Sequence, residues 1–357
     1  MKNTALYEKH LALNAKMIEY AGFSMPVSYT GITEEHIAVR TSMGIFDVSH
    51  MGEFVVTGEQ SLSFVNHLVT NLITEEQNKV TYALMCDEKG FVVDDLLVYV
   101  IKPTQILLVV NAGNMEKDFE WVVKQSKAFK VEVSNKSSDF GQIAVQGPNA
   151  IDHINRIVGH DVKDLKFMTF EVVPYQDLHI IVSRTGYTGE DGFEIYAKNY
   201  LISKLWADSI EAGAIPCGLG SRDTLRFETN LPLYGHEISE SINPVEAGLN
   251  FAIKLDKNFI GRDALVAYKE NPTRKVVGLE LLERNIPRHG YEVYSGDILV
   301  GHITTGYLLP NVATPIACAL VDIKYSAIGT ELSVLVRNNK IPAKVRNRKF
   351  YIKNYKK

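Results

Sequence analysis

The chain has 357 residues, 46% hydrophobic and 22% charged, which suits packed globular domains and excludes a disordered or fibrous chain. No apolar run approaches the ~20 residues of a membrane-spanning helix, and the stretch Met1–His10 reads as neither a secretory signal nor a transit peptide. The net charge of −4 hides an asymmetry: Leu332–Lys357 holds nine basic residues and no acidic one, leaving −13 on the remainder.

That basic end suits an anionic partner. Nucleic acid is not expected, because no recognised binding motif accompanies the charge. Cys86, Cys217 and Cys318 lie far apart without a CxxC, which argues against a disulfide scaffold or structural zinc and for a reducing cytoplasm. The histidines lack metal-ligand spacing, so no metal is expected.

In chain order, apolar positions Leu11, Ala12, Ala15, Met17, Ile18 and Ala21 predict a helix over 5–22, stopped by Gly22. Phe46–Glu53 offers Asp47 and His50, but no Gly-x-Ser-x-Gly elbow accompanies them, so a structural histidine is the expectation. Two strands, 81–86 and 91–101, are joined by the turn Asp87-Glu-Lys-Gly90. The second carries adjacent aspartates, Asp94 and Asp95, in an otherwise apolar run. Strand neighbours point to opposite faces, so one carboxylate can meet solvent and the other the interior. A buried carboxylate costs several kcal/mol unless paired, which suggests a charge wanted in a pocket; an edge strand with both carboxylates wet is the plainer alternative.

A strand over 105–111, a helix over 115–125 and a strand over 142–146 follow. Pro148 is placed for the first turn of a helix over 149–158. Strands at 178–183 and 193–196 flank Ser183-Arg-Thr-Gly-Tyr-Thr-Gly-Glu-Asp-Gly-Phe-Glu-Ile-Tyr196, whose three glycines allow close approach. Glu194 and Tyr196 then share a face, and Glu194 could accept two parallel hydrogen bonds from a planar donor or pair with an arginine. Helices are expected over 203–212 and 221–229, the latter with Ser221 as N-cap and Arg222 and Arg226 on one face. Those arginines either bind an anion or neutralise carboxylates. The segment Gly218–Glu228 fails as a dinucleotide fingerprint because Asp223 stands at the third glycine position. Tyr82, Tyr99 and Tyr187 fall beside the carboxylate-bearing strands, as pocket lining or as core. Beyond Pro272, residues 276–352 hold short β-rich runs broken by Gly and Pro, the pattern of a small barrel or sandwich, with a boundary near residue 272.

Together, Gly22-Phe-Ser-Met-Pro26, Gly44–Met51, Val93-Asp-Asp-Leu-Leu97, Val110-Asn-Ala112, Gln146-Gly-Pro148, Ser183–Tyr196 and Gly218–Glu228 resemble the aminomethyltransferase, or T-protein, of the glycine cleavage system. The resemblance runs from about residue 5 to the C-terminus. It implies an α+β fold: a three-domain cloverleaf around a central folate site, with a C-terminal β-barrel-like domain. The domains implied are a folate-binding catalytic region over 1–272, its second subdomain roughly 54–134, and a barrel over 273–357. It also implies transfer of a one-carbon unit from the aminomethylated lipoyl arm of the H-protein to tetrahydrofolate, releasing ammonia and giving methylenetetrahydrofolate. By the same carry-over Asp95 is the essential carboxylate, and Glu194, Arg222 and Tyr355 contact the folate. Asn111, Tyr82, Tyr99 and Tyr187 line the pocket. Phe23 and Phe251 stand where relatives often carry Trp, which reduces stacking area. A folate-dependent demethylase of the same superfamily remains an alternative. So does a non-catalytic folate-binding protein of iron–sulfur maintenance, although Phe259–Ala264 lacks the cysteine of that group's motif.

Overall fold

The computed structural model describes residues 1–310 and 312–353. Two mixed α/β layers face each other, and a barrel closes the third side. The first layer is a five-stranded sheet in the order Lys79–Cys86, Val92–Lys102, Gln105–Val110, Gly52–Thr57, Glu132–Asn135. The strand Val92–Lys102 is paired on both sides, so it is not an edge. Helices Ser61–Leu68 and Met115–Ser126 cover one face of this sheet. Leu96, Val98 and Val100 pack into that layer beside Val122.

The second layer is a six-stranded sheet in the order Phe170–Tyr175, Leu178–Ser183, Gly192–Lys198, Phe140–Gln146, Gly44–Asp47, Ile215–Cys217. Its outer face carries helices Ala150–Val158 and Asn199–Glu211, against which Ile143, Val145, Phe193 and Ile195 pack. The inner faces of the two sheets meet through Val80, Tyr99, Leu107, Val109, Phe170 and Tyr196. Six antiparallel strands between Arg274 and Arg346 form the closed barrel, with Leu279, Val293, Ala319 and Val334 inside. The expected α+β fold with a C-terminal barrel domain is therefore present.

The expected helix over 5–22 is replaced by a short helix, Tyr7–Ala12, and a strand, Lys16–Tyr20, paired with Phe23–Ser28. The reversal falls at Ala21-Gly22, both with positive φ (50° and 80°), the signature of a tight hairpin turn. Asn14, at φ 55°, ends the helix first. The helix expected over 221–229 starts earlier, at Leu219, with Gly218 as N-cap. Ser221 Oγ instead donates to Glu35, whose carboxylate also accepts the Gly218 N–H. A buried acid from another helix thus caps this one, at the positive end of its dipole.

Candidate active site

A cavity of about 720 Å³ opens where the two sheets and the segments leading to the barrel converge. Asp95 and Leu97 reach it from the strand Val92–Lys102. Asp94, on the opposite face, is fully buried under the helix layer, so neither aspartate points to bulk solvent. Asp95 Oδ2 accepts the Tyr82 hydroxyl at 3.0 Å, and its Oδ1 accepts Asn111 Nδ2 at 2.8 Å. Burial, then the neighbouring Asp94 charge, pushes the Asp95 carboxyl up to about 7, against the pull of the Tyr82 and Asn111 donors.

Glu194, Tyr196 and Gln142 reach the same cavity from the six-stranded sheet. Thr185 Oγ1 donates to Glu194 Oε2 at 2.5 Å, and Gln142 Nε2 donates to Oε1 at 3.2 Å. Glu194 is thus fixed by neutral donors rather than by an arginine fork. Burial raises its carboxyl, while Thr185, the nearby Arg222 charge and Gln142 oppose the rise. Arg222 also lines the cavity, its guanidinium 4.7 Å from the centre of the Tyr187 ring. The Tyr187 hydroxyl donates to the Pro232 carbonyl, which ties that ring in place.

One expectation is corrected, and two open readings are narrowed. Tyr99 does not line the cavity: it is fully buried behind Tyr196, with the two hydroxyls 2.9 Å apart. Tyr99 lies two strand positions beyond Leu97 on the inner face, where the sheets already touch. Arg226 also departs from Arg222: it is buried and held by Asp223 and Glu237 at 2.7 Å each. It neutralises carboxylates, whereas Arg222 faces the cavity. His50, expected to be structural, is buried at the cavity wall, edge-on to Tyr20 at 5.6 Å between ring centres. Burial and then Arg222 hold His50 down to about 4, so it presents a neutral ring. Its supposed partner Asp47 pairs with His10 at 2.9 Å.

Tyr355 lies outside the described residues. Nearby Tyr351 is not part of the lining: it donates to Glu190 at 2.6 Å, with the Arg40 guanidinium 4.0 Å from its ring centre. Phe251 does border the cavity, 62% exposed, and stacks on Tyr82 at 6.0 Å and 26°. Phe23 lies outside the lining, near Lys2. Sequence reasoning missed Gln142, Tyr20 and Tyr196 as lining. Tyr196 was within reach, since it shares the Glu194 face.

Residues 6–257 match the GCVT N-terminal domain, and residues 274–351 match the glycine cleavage T-protein C-terminal barrel domain. The chain belongs to the glycine cleavage T-protein family. It is 47% identical to an aminomethyltransferase of Caldanaerobacter subterraneus subsp. tengcongensis, over all of this chain and 98% of that one. It is 43% identical to one of Lysinibacillus sphaericus over 98% of each. The crystal structure of the glycine cleavage system aminomethyltransferase T from Bartonella henselae superposes with a TM-score of 0.94, at 30% identity, over 100% of this chain and 99% of that one. This family's members are transferases of the glycine cleavage system, and the chain is an enzyme of that kind.

Its site chemistry suits such a reaction. Two carboxylates from different sheets enter one cavity that aromatic rings and a neutral imidazole also line. A carboxylate with free lone pairs accepts a planar donor edge; a second, near a developing positive charge, stabilises it. No group of three or more His, Cys, Asp or Glu side chains is arranged to hold a metal among the described residues.

Proposed function

We propose that the enzyme transfers the one-carbon unit of an aminomethyl group, carried on the lipoyl arm of the H-protein, to tetrahydrofolate, releasing ammonia. Methylenetetrahydrofolate and the dihydrolipoyl carrier are the products, and glycine catabolism is the process served. What carries the reading is that Asp95 and Glu194 come from different sheets into one cavity.

Glu194 accepts the amidine-like edge of the pterin, because Thr185 and Gln142 fix its two oxygens without using up their lone pairs. Tyr82, Tyr187 and Tyr196 offer ring surface to a flat heterocycle, and Arg222, stacked on Tyr187, offers charge. Asp95 faces the reacting carbon. That carbon lies between a thioether sulfur and an ammonium, so expelling ammonia builds positive charge on it. A carboxylate held in advance by Tyr82 and Asn111 stabilises that charge without reorganising. It also holds the attacking folate nitrogen in place. Asn111, and Tyr355 beyond the described residues, complete the proposed contacts; Tyr99 acts through Tyr196 and Thr185, whose hydroxyls lie 2.9 Å and 3.5 Å from its own.

Arg348 and Lys353 border the cavity, which suits a polyglutamyl folate tail or the acidic surface of a carrier protein. We assign the catalytic region to 1–272, with its second subdomain at roughly 54–134, and the barrel to 273–357. The compartment proposed is the cytoplasm, where the buried thiols of Cys86, Cys217 and Cys318 stay reduced. Mixing the protein with tetrahydrofolate and aminomethylated carrier tests the reading: ammonia is released only when both are present. Release without folate, or none with both, would refute it.

A further inference from the structure

Behind Asp95 lies a polar group that touches no cavity space. Asp94 is fully buried, and three N–H groups converge on it. Its Oδ2 accepts the Asn111 backbone N–H at 3.0 Å. Its Oδ1 accepts Asn111 Nδ2 at 2.9 Å and Asn114 Nδ2 at 2.7 Å. The same Asn111 Nδ2 donates to Asp95 Oδ1 at 2.8 Å. An amide nitrogen has two hydrogens: one goes to Asp94 and the other is shared by the Asp95 carboxylate and its backbone carbonyl, at 3.1 Å, so Asn111 is a rigid coupler between the two aspartates.

Asp118 comes from the helix Met115–Ser126 and is also fully buried. Neither of its carboxyl oxygens has a donor as a partner, and its side chain lies within hydrogen-bonding reach of the Asp94 carboxyl. Two carboxyls can form a hydrogen bond only if one holds a proton, and adjacent buried charges would repel strongly otherwise. Asp94 has three N–H donors and Asp118 has none, so the proton belongs on Asp118. Burial, then the Asp94 charge, drives the Asp118 carboxyl far above the ordinary carboxylate range.

The other charged and titratable neighbours do not displace this arrangement. Lys117 is engaged by the Val93 carbonyl at 2.7 Å and the Tyr234 hydroxyl at 2.8 Å, and pairs with Glu240 at 3.4 Å. On the cavity side, Tyr82 and Tyr187 face Asp95 as neutral phenols whose proton affinity burial raises further.

We propose that Asp118 is a positioning residue: it supplies the hydrogen that fixes Asp94, and Asp94, through Asn111, fixes the orientation and charge of Asp95. This rests on Asp95 being the reacting carboxylate. Asp94 then keeps a negative charge beside Asp95, holding its proton affinity high, while Asn111 keeps the Asp95 plane aimed at the substrate.

Two measurements separate the pair from the reaction. Difference infrared spectra, wild type minus Asp118→Asn at neutral pH, should show a protonated-carboxyl stretch belonging to Asp118. Its absence would overturn the proposal whatever the turnover. Carrier-dependent turnover is then followed against pH. Asp118→Ala should lower kcat about tenfold or more, with KM for tetrahydrofolate unchanged, because the reacting group is misaimed rather than the ligand lost. Asp118→Asn keeps a donor toward Asp94 and should restore most of the rate. Asp94→Asn should move the acid limb of the profile down by about one pH unit. A wild-type rate in Asp118→Ala, or equal impairment in Asp118→Asn, would overturn the proposal. Should the alanine variant not fold, the asparagine variant and the infrared band decide. If the band is present while Asp95→Asn turns over normally, the functional reading fails and the buried pair stands.

Discussion

Asp95→Asn is the sharpest perturbation of this site, because the surroundings can accept it. The new carbonyl oxygen can take the Asn111 Nδ2 hydrogen at the 2.8 Å position. The new amide then faces the Tyr82 oxygen, at 3.0 Å, and the phenol hydrogen rotates away to let that oxygen accept. Both contacts survive and no volume changes, so the loss is confined to charge. Removing one preorganised electrostatic contact from an enclosed site costs about 2.7–4 kcal/mol, or about 10²–10³-fold in kcat. Wild-type turnover should fall as the pH drops through about 7, where Asp95 takes up its proton, and the variant's residual rate should lack that limb.

Stability should move the other way. The folded state holds the Asp95 proton more tightly than the unfolded chain does. Stability is therefore lost as pH rises from the ordinary carboxylate range through about 7. A neutral asparagine removes that loss, so the variant's Tm should exceed wild type above that pH. The assay is single-turnover ammonia release beside thermal melts at two pH values. Near-wild-type release, or an unchanged acid limb, would refute the electrostatic role.

Glu194→Gln should weaken tetrahydrofolate by about 10–100-fold, the worth of a charge-assisted hydrogen bond of about 1.5–3 kcal/mol; equal affinity by calorimetry would remove the pterin contact. Gly218→Ala places a Cβ 2.4 Å from both the Val27 carbonyl carbon and its oxygen. Backbone cannot yield as a side chain does, so urea unfolding should report a loss of about 1–3 kcal/mol, and no loss would contradict the packing. Reversing charge at Lys349 and Lys353 should slow carrier-dependent turnover more at low salt than at high; equal slowing would argue against electrostatic docking.

Much of the site was legible because strand periodicity is local. The alternation of Val92–Lys102 places Asp94 and Asp95 on opposite faces before any fold is known, and Glu194 and Tyr196 on one face likewise. What local period cannot supply is depth along a strand. Tyr82 and Tyr99 look alike in sequence, yet one meets Asp95 and the other is sealed where two sheets touch. Residues 5–22 failed for a related reason: their apolar spacing fits a helix, but Ala21-Gly22 turns the chain and pairing with Phe23–Ser28 repays a strand.

The sequence by itself determined on which face of its strand each of Asp94, Asp95 and Glu194 lies. Tertiary structure alone decided that Asp95 and Glu194 share a cavity, that Arg226 is consumed by Asp223 and Glu237 while Arg222 faces that cavity, and that Asp118 stands behind Asp94. Face is set by the geometry of one strand. Company is set by how sheets, helices and barrel pack, and those contacts join residues far apart in the chain.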